Sequence, residues 1–315
     1  MFSQDNCGNP KLLTEAVTPI AIKAQNQAQN TEHLLNRDPG AAVLLGKGAY
    51  VVLDFGKEVC GGVKLVTENI DSGSATLRIT LGESLTEACS DIGYKNATND
   101  HSPRDFTVQA AAYSDGVFGE SGFRFARIQV QSESAVWLRN VLAVNNIPAF
   151  DKEGHIVTGD AQLNEIINTA IYTLKLTFQD GYIWDGVKRD RLVWCGDLHP
   201  EIATIQAVFG NQKIIGDSLD FVVAETPPGQ WMNNIPSYSM WWIIIQHDYF
   251  MQFGDLEYLQ KQIPYMKNIC RMLSMHIDEQ GKDCTPDMRF VDWPTKDNAD
   301  ATDVGLQALH TLANQ

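Results

Sequence analysis

From about residue 40 to 147 the hydrophobic positions alternate with polar ones in short runs closed by glycine: "GAYVVLDFG", "GGVKLVTE", "SATLRITLGE", "RDFTVQAAAY", "FRFARIQVQS" and "AVWLRNVLAV". A period of two puts every second side chain on one face, so these runs predict an antiparallel β-sandwich. After "IPAFDKEGHIVTGD" the period lengthens. Leu163, Ile166, Ile167, Ala170, Ile171, Leu174 and Phe178 fall 3, 4, 7, 8, 11 and 15 residues from the first, the spacing of one helical face, with Asp160 placed to cap it. Further helical stretches follow at roughly 200–209, 212–224, 237–253, 255–277 and 302–314, with no strand pattern between them. The chain is therefore expected to divide into a lead-in segment (1–36), a β-sandwich (37–150) and a helical toroid or bundle (151–315). The lead-in, with "EAVTPIAIKAQNQAQNTEHLL", reads as extended or mixed structure.

Composition narrows the partners. At 315 residues the chain is long enough for two cores, and 44% hydrophobic with 20% charged residues is ordinary for a globular protein. A formal net charge of −15 argues against nucleic acid or an anionic membrane and suits a neutral or cationic ligand. The opening "MFSQDNCGNPKLLTE" has no positive region followed by an apolar one, so no signal peptide is evident and a cytoplasmic location is expected. The six cysteines (Cys7, Cys60, Cys89, Cys195, Cys270, Cys284) form no CxxC pair and read as free buried thiols. The seven histidines are isolated and no HExxH occurs, so neither a metal site nor a cofactor is expected.

Six of the seven tryptophans (Trp184, Trp194, Trp231, Trp241, Trp242, Trp293) lie in the helical half, several in or beside loops. Sugar rings present apolar C–H faces that stack on indole, while their hydroxyls ask for carboxylates, amides and Arg. The segment "WDGVKRDRLVWCGDLHPE", residues 184–201, supplies both, with Asp185, Asp190 and Asp197 set among Arg189, Arg191, Trp184 and Trp194. Clustered carboxylates raise one another's pKa and a nearby Arg lowers it, so one acid can stay protonated while another is ionised. Glycoside hydrolysis needs that split; a structural salt-bridge network is the competing reading. Glu83 and Glu87 read as solvent-facing residues at a strand end.

This segment resembles the signature region of the bacterial α-L-rhamnosidases, glycoside hydrolase family 78. "VVLDFGKEVCGGVKL", "LRITLGESL" and "SGFRFARIQV" are similar to the β-sandwich that precedes the family's barrel. "VTGDAQLNEIINTAIYTLKLTFQDGYIWDG" is similar to the opening of that barrel, and "PSYSMWWIIIQHDYFMQFGD" and "FVDWPT" follow in the same order. The resemblance implies an antiparallel β-sandwich followed by part, about half, of an (α/α)6 barrel of twelve helices, and an inverting hydrolase that releases terminal α-L-rhamnose from glycans or glycosides. It implies a carbohydrate substrate and no metal. The family's Asp, Glu, Asp pattern falls on Asp185, Asp190 and Asp197, so Asp190 stands where the proposed general acid is usually Glu. Its carboxyl would sit roughly 1 Å further from the glycosidic oxygen. Either the loop compensates, or Glu201 comes into question as the acid. Asp185 and Asp197 would bind sugar hydroxyls, Arg189 would orient a carboxylate, Trp194 would pack beneath, and Asp292 and Trp293 would line the same pocket.

The family's general base comes from a late barrel helix, to which no residue up to Gln315 corresponds. The sequence is therefore expected to be an N-terminal fragment or truncated product, with an uncovered apolar face suited to self-association. A catalytically lapsed carbohydrate-binding relative is the second reading, and a six-hairpin glycosidase acting on another sugar the third.

Overall fold

The structure is a computed structural model that describes residues 11–94, 96–99, 102–150, 153–286 and 288–315; Cys7 lies outside them. Its first half is a nine-stranded antiparallel sheet built from β1 (Lys11–Val17), β2 (Ala21–Asn26), β3 (Ala28–Gln29), β4 (Ala42–Leu45), β5 (Tyr50–Ile70), β6 (Ser74–Gly82), β7 (Asp105–Ala111), β8 (Asp115–Val130) and β9 (Ala135–Ala149). Two single-turn helices, α1 (His33–Asn36) and α2 (Leu85–Ala88), sit between strands. The order along the sheet is β3-β4-β9-β5-β8-β6-β7, with β1 on β9 and β2 on β5.

The long strand β5 explains why one hydrogen-bonded sheet can enclose a core as a sandwich would. Its register with β8 shifts between Asp54 and Val59 and again between Gly61 and Val63. Its first part pairs with β2, its last part with β9. Bulges bend a strand in this way, and Val51, Leu53, Val63, Leu65, Leu77, Ile128 and Leu138 meet in one cluster with essentially no exposure. The segment expected as a lead-in contributes three strands and a helical turn to this half.

The second half carries α3 (Ala161–Leu176), a two-residue hairpin of β10 (Phe178–Gln179) and β11 (Tyr182–Ile183), and then α4 (Cys195–Val208), α5 (Lys213–Glu225), a 3-10 turn (Met232–Asn234), α6 (Pro236–Phe253), α7 (Leu256–Ser274) and α8 (Ala299–Ala313). Asp160 caps α3 as its sequence predicts, its Oδ1 accepting from the Gln162 and Leu163 N–H groups at 2.8 and 3.1 Å. Helix α6 packs between α4 and α8, and its burial on almost every side (Met240, Trp242, Ile245) explains an apolar run too continuous for an amphipathic surface helix. No helix among the described residues is long and apolar enough to cross a membrane.

The halves are joined by more than the chain. Phe150, just past β9, stacks on Phe209 at 3.9 Å and meets Phe178 edge-on. Cys60, Ile147, Leu176 and Val187 form a small shared cluster. Above it the Tyr172 hydroxyl donates to the Glu58 carbonyl at 2.6 Å. Of the described cysteines, Cys60 and Cys195 are buried free thiols as expected, whereas Cys89 and Cys284 are exposed.

Asp54, 1% exposed, ties β5 to β2 and β8. It accepts from Arg124 Nε and Nη2 at 2.8 and 3.0 Å, from the Gly56 N–H at 2.8 Å, and faces Lys23 Nζ at 3.1 Å. Burial alone would raise its pKa, yet these partners hold it at about 2. A folded-state pKa below the unfolded one contributes stability above pH 4 that is lost as pH falls through 2. Asp54→Asn is expected to cost roughly 2 kcal/mol at pH 7, with the cost fading between pH 4 and 2. Urea unfolding at pH 7 and pH 3 measures it, and an equal loss at both would refute this role.

Candidate active site

The site is delivered by a hairpin that local sequence dictates. Asp180 and Gly181 have φ of 52° and 85°, the pair of left-handed residues that a two-residue turn between strands requires, so β10 and β11 close tightly and hand the chain to Trp184 and Asp185. The loop that follows closes on itself. Asp185 N–H donates to the Leu192 carbonyl at 3.0 Å, and the Leu192 N–H returns to Asp185 Oδ1 at 2.9 Å. Inside it, Asp190 and Arg191 both adopt left-handed backbone, φ 58° and 57°.

Helix α4 then begins at Cys195, five residues before the start that Pro200 suggests. The reason is remote. Asn233 Oδ1 accepts from the Cys195 N–H at 3.0 Å while its Nδ2 donates to the Val193 carbonyl at 3.2 Å, a cap supplied from 38 residues away. Asp197 thereby lies in the first turn of a helix, where the dipole favours an anion. The absence of a side chain at Gly196 lets Tyr238 approach, because a Cβ there would lie 2.4 Å from the ring. The Tyr238 hydroxyl donates to Asp197 Oδ2 at 3.4 Å.

These elements enclose a cavity of about 320 Å³ lined by Asp185, Arg189, Asp190, Trp194, Asp197, Asn233, Asn234, Ile235, Tyr238, Met288, Phe290 and Trp293. One flank is aromatic: Trp194 meets Tyr238, Tyr238 meets Phe290 and Phe290 meets Trp293, all edge-to-face, at 6.1, 6.2 and 5.1 Å. The segment carrying Phe290 is anchored by Arg289, which donates at 2.8 Å to both Asp283 Oδ1 and Asp303 Oδ1, while His310 Nδ1 lies 2.7 Å from Asp283 Oδ2. Against its burial, these bonds keep the Asp283 carboxyl at about 2.

The same cavity is acidic. Burial first, then the charges of Asp190 and Asp197, push Asp185 up to about 6, although the Leu192 N–H opposes the shift. Partial loss of solvent also raises Asp197, against the Tyr238 hydroxyl. Such a cavity can accept hydrogen bonds from a polyol, offer aromatic rings to its C–H face, and hold a carboxyl group that titrates near pH 6.

Six of the eight residues nominated from sequence therefore meet in one cavity: Asp185, Arg189, Asp190, Trp194, Asp197 and Trp293. Glu201 and Asp292 are not part of its lining. Glu201 borders a wider groove of about 790 Å³ between α3 and α4, which shares Asp185 with the cavity. The Asp292 carboxylate accepts from the Thr295 N–H and hydroxyl in a local turn. Of the other tryptophans, Trp231 and Trp242 are core, and buried Trp184 carries the Arg191 guanidinium 4.7 Å above its ring. Sequence reading missed Asn233, Asn234, Tyr238, Met288 and Phe290; the adjacent asparagines before Pro236 were the one local signal of a turn there.

Residues 151–309 match the family described as the bacterial α-L-rhamnosidase six-hairpin glycosidase domain. The chain belongs to this family. No curated protein matches its sequence, whereas solved rhamnosidase structures match its fold. A Klebsiella oxytoca rhamnosidase with rhamnose bound superposes with a TM-score of 0.74 at 16% identity, over 97% of this chain and 70% of that one. The α-L-rhamnosidase from Dictyoglumus thermophilum gives 0.68 at 16% identity, over 97% of this chain and 33% of that one. The GH78 rhamnosidase of Bacillus sp. GL1 gives 0.67 at 18% identity, over 90% and 33%. The family domain thus begins where the helical period begins, and the rhamnosidase fold extends across the sheet as well.

Glu201 allows a direct check of the acidic electrostatics. Burial, then the charges of Asp197 and Asp185, raise its carboxyl well above the ordinary range, and Oε2 has no hydrogen-bond partner among the described residues. A raised acid pKa means the folded chain keeps a proton that the unfolded chain releases, so stability falls as pH rises above about 4.5. Glu201→Gln should therefore raise the melting temperature at pH 7.5 and leave it unchanged at pH 4. A lower melting temperature at pH 7.5 would show that the charge is compensated.

Proposed function

We propose that the chain carries the sugar-binding and acid-bearing part of an inverting α-L-rhamnosidase, acting on terminal α-L-rhamnose of glycans or glycosides. The observation that supports this best is the meeting of Asp185, Asp190 and Asp197 around one aromatic-walled cavity, in a family domain of that type. In this reading Asp190 protonates the departing glycosidic oxygen, and a water activated by a general base attacks the anomeric carbon from the other side. Asp185 and Asp197 hold sugar hydroxyls, Arg189 orients a carboxylate, and Trp194 and Trp293 supply apolar faces. The rhamnose-bound Klebsiella enzyme, similar in fold, supports the choice of sugar.

The helices fit the same reading. Alternate helices α4, α6 and α8 lie side by side, each preceded in sequence by one of α3, α5 and α7, as expected for three hairpins of an (α/α)6 barrel. We read residues 37–150 as the β-sandwich domain and 151–315 as this helical domain. A catalytically lapsed sugar binder is the second reading, and the shorter acid at position 190 favours it.

Hydrolysis of p-nitrophenyl α-L-rhamnoside, with L-rhamnose binding measured by calorimetry alongside, separates the two. Asp190→Asn should lower kcat by roughly a hundredfold or more while rhamnose still binds. An unchanged rate would remove Asp190 from the acid role, and rhamnose binding without hydrolysis by a form that carries the whole barrel would favour the lapsed binder.

A further inference from the structure

The loop that carries Asp190 is held from outside the helical domain. We propose that the sheet half sets the acid's position: Glu83 and Glu87 gripping Lys188, and Glu120 gripping Arg191, lock Asp190 between two anchors in the backbone conformation that turns it into the cavity. This rests on the reading of Asp190 as the acid.

The anchors bracket that residue, two positions before it and one after. Lys188 Nζ lies 3.1 Å from Glu83 Oε2 and 2.7 Å from Glu87 Oε1. Arg191 Nη2 donates to Glu120 Oε1 at 2.6 Å and Nη1 to the Glu120 carbonyl at 3.4 Å, with its other face on Trp184. Arg191 is 17% exposed and Glu120 64%, so the cation is seated on Trp184 and the carboxylate reaches it from the surface. Asp190 and the anchor Arg191 itself, two consecutive non-glycine residues, occupy left-handed space, which unrestrained chains avoid.

The sheet is shaped for the contact. At Gly122 an added Cβ would lie 2.6 Å from Val187 Cγ2 and 2.9 Å from the Lys188 backbone nitrogen, so only a glycine lets the loop settle there. Beneath it, burial and the neighbouring Glu83 and Glu87 lift Glu58 to about 8, with Lys188 and Arg124 opposing. Glu58 thus keeps its proton at neutral pH and leaves the Lys188 charge to Glu83 and Glu87. None of Glu83, Glu87 and Glu120 lines the cavity, so their contact with the chemistry is through the loop they hold. They are positioning residues.

A displaced general acid reveals itself by leaving group, because a weakly basic departing oxygen needs little protonation. Glu120→Lys and Lys188→Met should each lower kcat on p-nitrophenyl α-L-rhamnoside by roughly ten- to a hundredfold, with KM little changed. On 2,4-dinitrophenyl α-L-rhamnoside the loss should stay within about threefold. Glu120→Arg combined with Arg191→Glu should recover part of the rate. Equal losses on both glycosides, tracking a fall in melting temperature, would overturn the proposal. If the unaltered protein, assayed with the whole barrel present, cleaves neither glycoside, the functional reading is what fails, and amide exchange decides the clamp. Faster exchange at the Arg191 and Leu192 N–H groups in Glu120→Lys and Lys188→Met, with α4 still protected, upholds it; unchanged exchange overturns it.

Discussion

A loop whose central residues both sit in left-handed backbone space cannot be stable by its own means. Asp190 and Arg191 are in that state, at a cost on the order of 1 kcal/mol or more for each. The loop's internal bonds are few: the double contact of Asp185 with Leu192, and the Arg191 N–H to the Arg189 carbonyl. What offsets the strain comes from three separate places in the chain: the sheet, the Asn233 cap at the start of α4, and the small apolar cluster around Val187. The residues lining the cavity all come from the helical half, while the contacts that brace its loop come from both halves.

The same geometry accounts for the electrostatics. In a chain of net charge −15, burial and then the crowding of carboxylates raise their proton affinity; Arg189 Nε lies 3.6 Å from Asp190 Oδ1, while the other cations nearby are engaged elsewhere. Lys188 and Arg191 face the sheet, away from the cavity. Arg289 serves Asp283 and Asp303. Asp185 is thus left near 6, where sugar hydroxyls can meet it as either donor or acceptor. The acidic surface suits a neutral polyol, and the aromatic flank supplies the affinity that charge does not.

Much of this was legible in the sequence, for reasons that can be stated. Period-two runs and the change to a helical period near residue 160 are local signals, and they located the sheet and the six long helices. The Asp-rich segment was conspicuous because charges interleaved with Trp, Val and Leu are rare on a solvated surface. What escaped was non-local. The start of α4 depends on Asn233, and the aromatic wall depends on Tyr238 and Phe290 being brought across by α6 and by the Asp283 network. Glu83 and Glu87 look like solvent-facing residues until Lys188 is placed against them. The hairpin at Asp180 and Gly181 was a local signal that went unread.

The identity of residue 190 connects the strain to the chemistry. The resemblance to the family's Asp, Glu, Asp pattern implies a glutamate there, and an aspartate has one methylene less of reach. Left-handed backbone, however, is tolerated better by Asp than by longer side chains, since its short polar group can satisfy nearby backbone atoms. A shorter acid and a left-handed turn are thus mutually consistent: the residue that suffers least from the conformation is the one found in it. Arg191 has no such advantage, and it is the residue that Glu120 and Trp184 hold from both sides. The loss of one methylene and the gain of a rigid external clamp belong to the same solution for bringing a carboxyl group to the cavity.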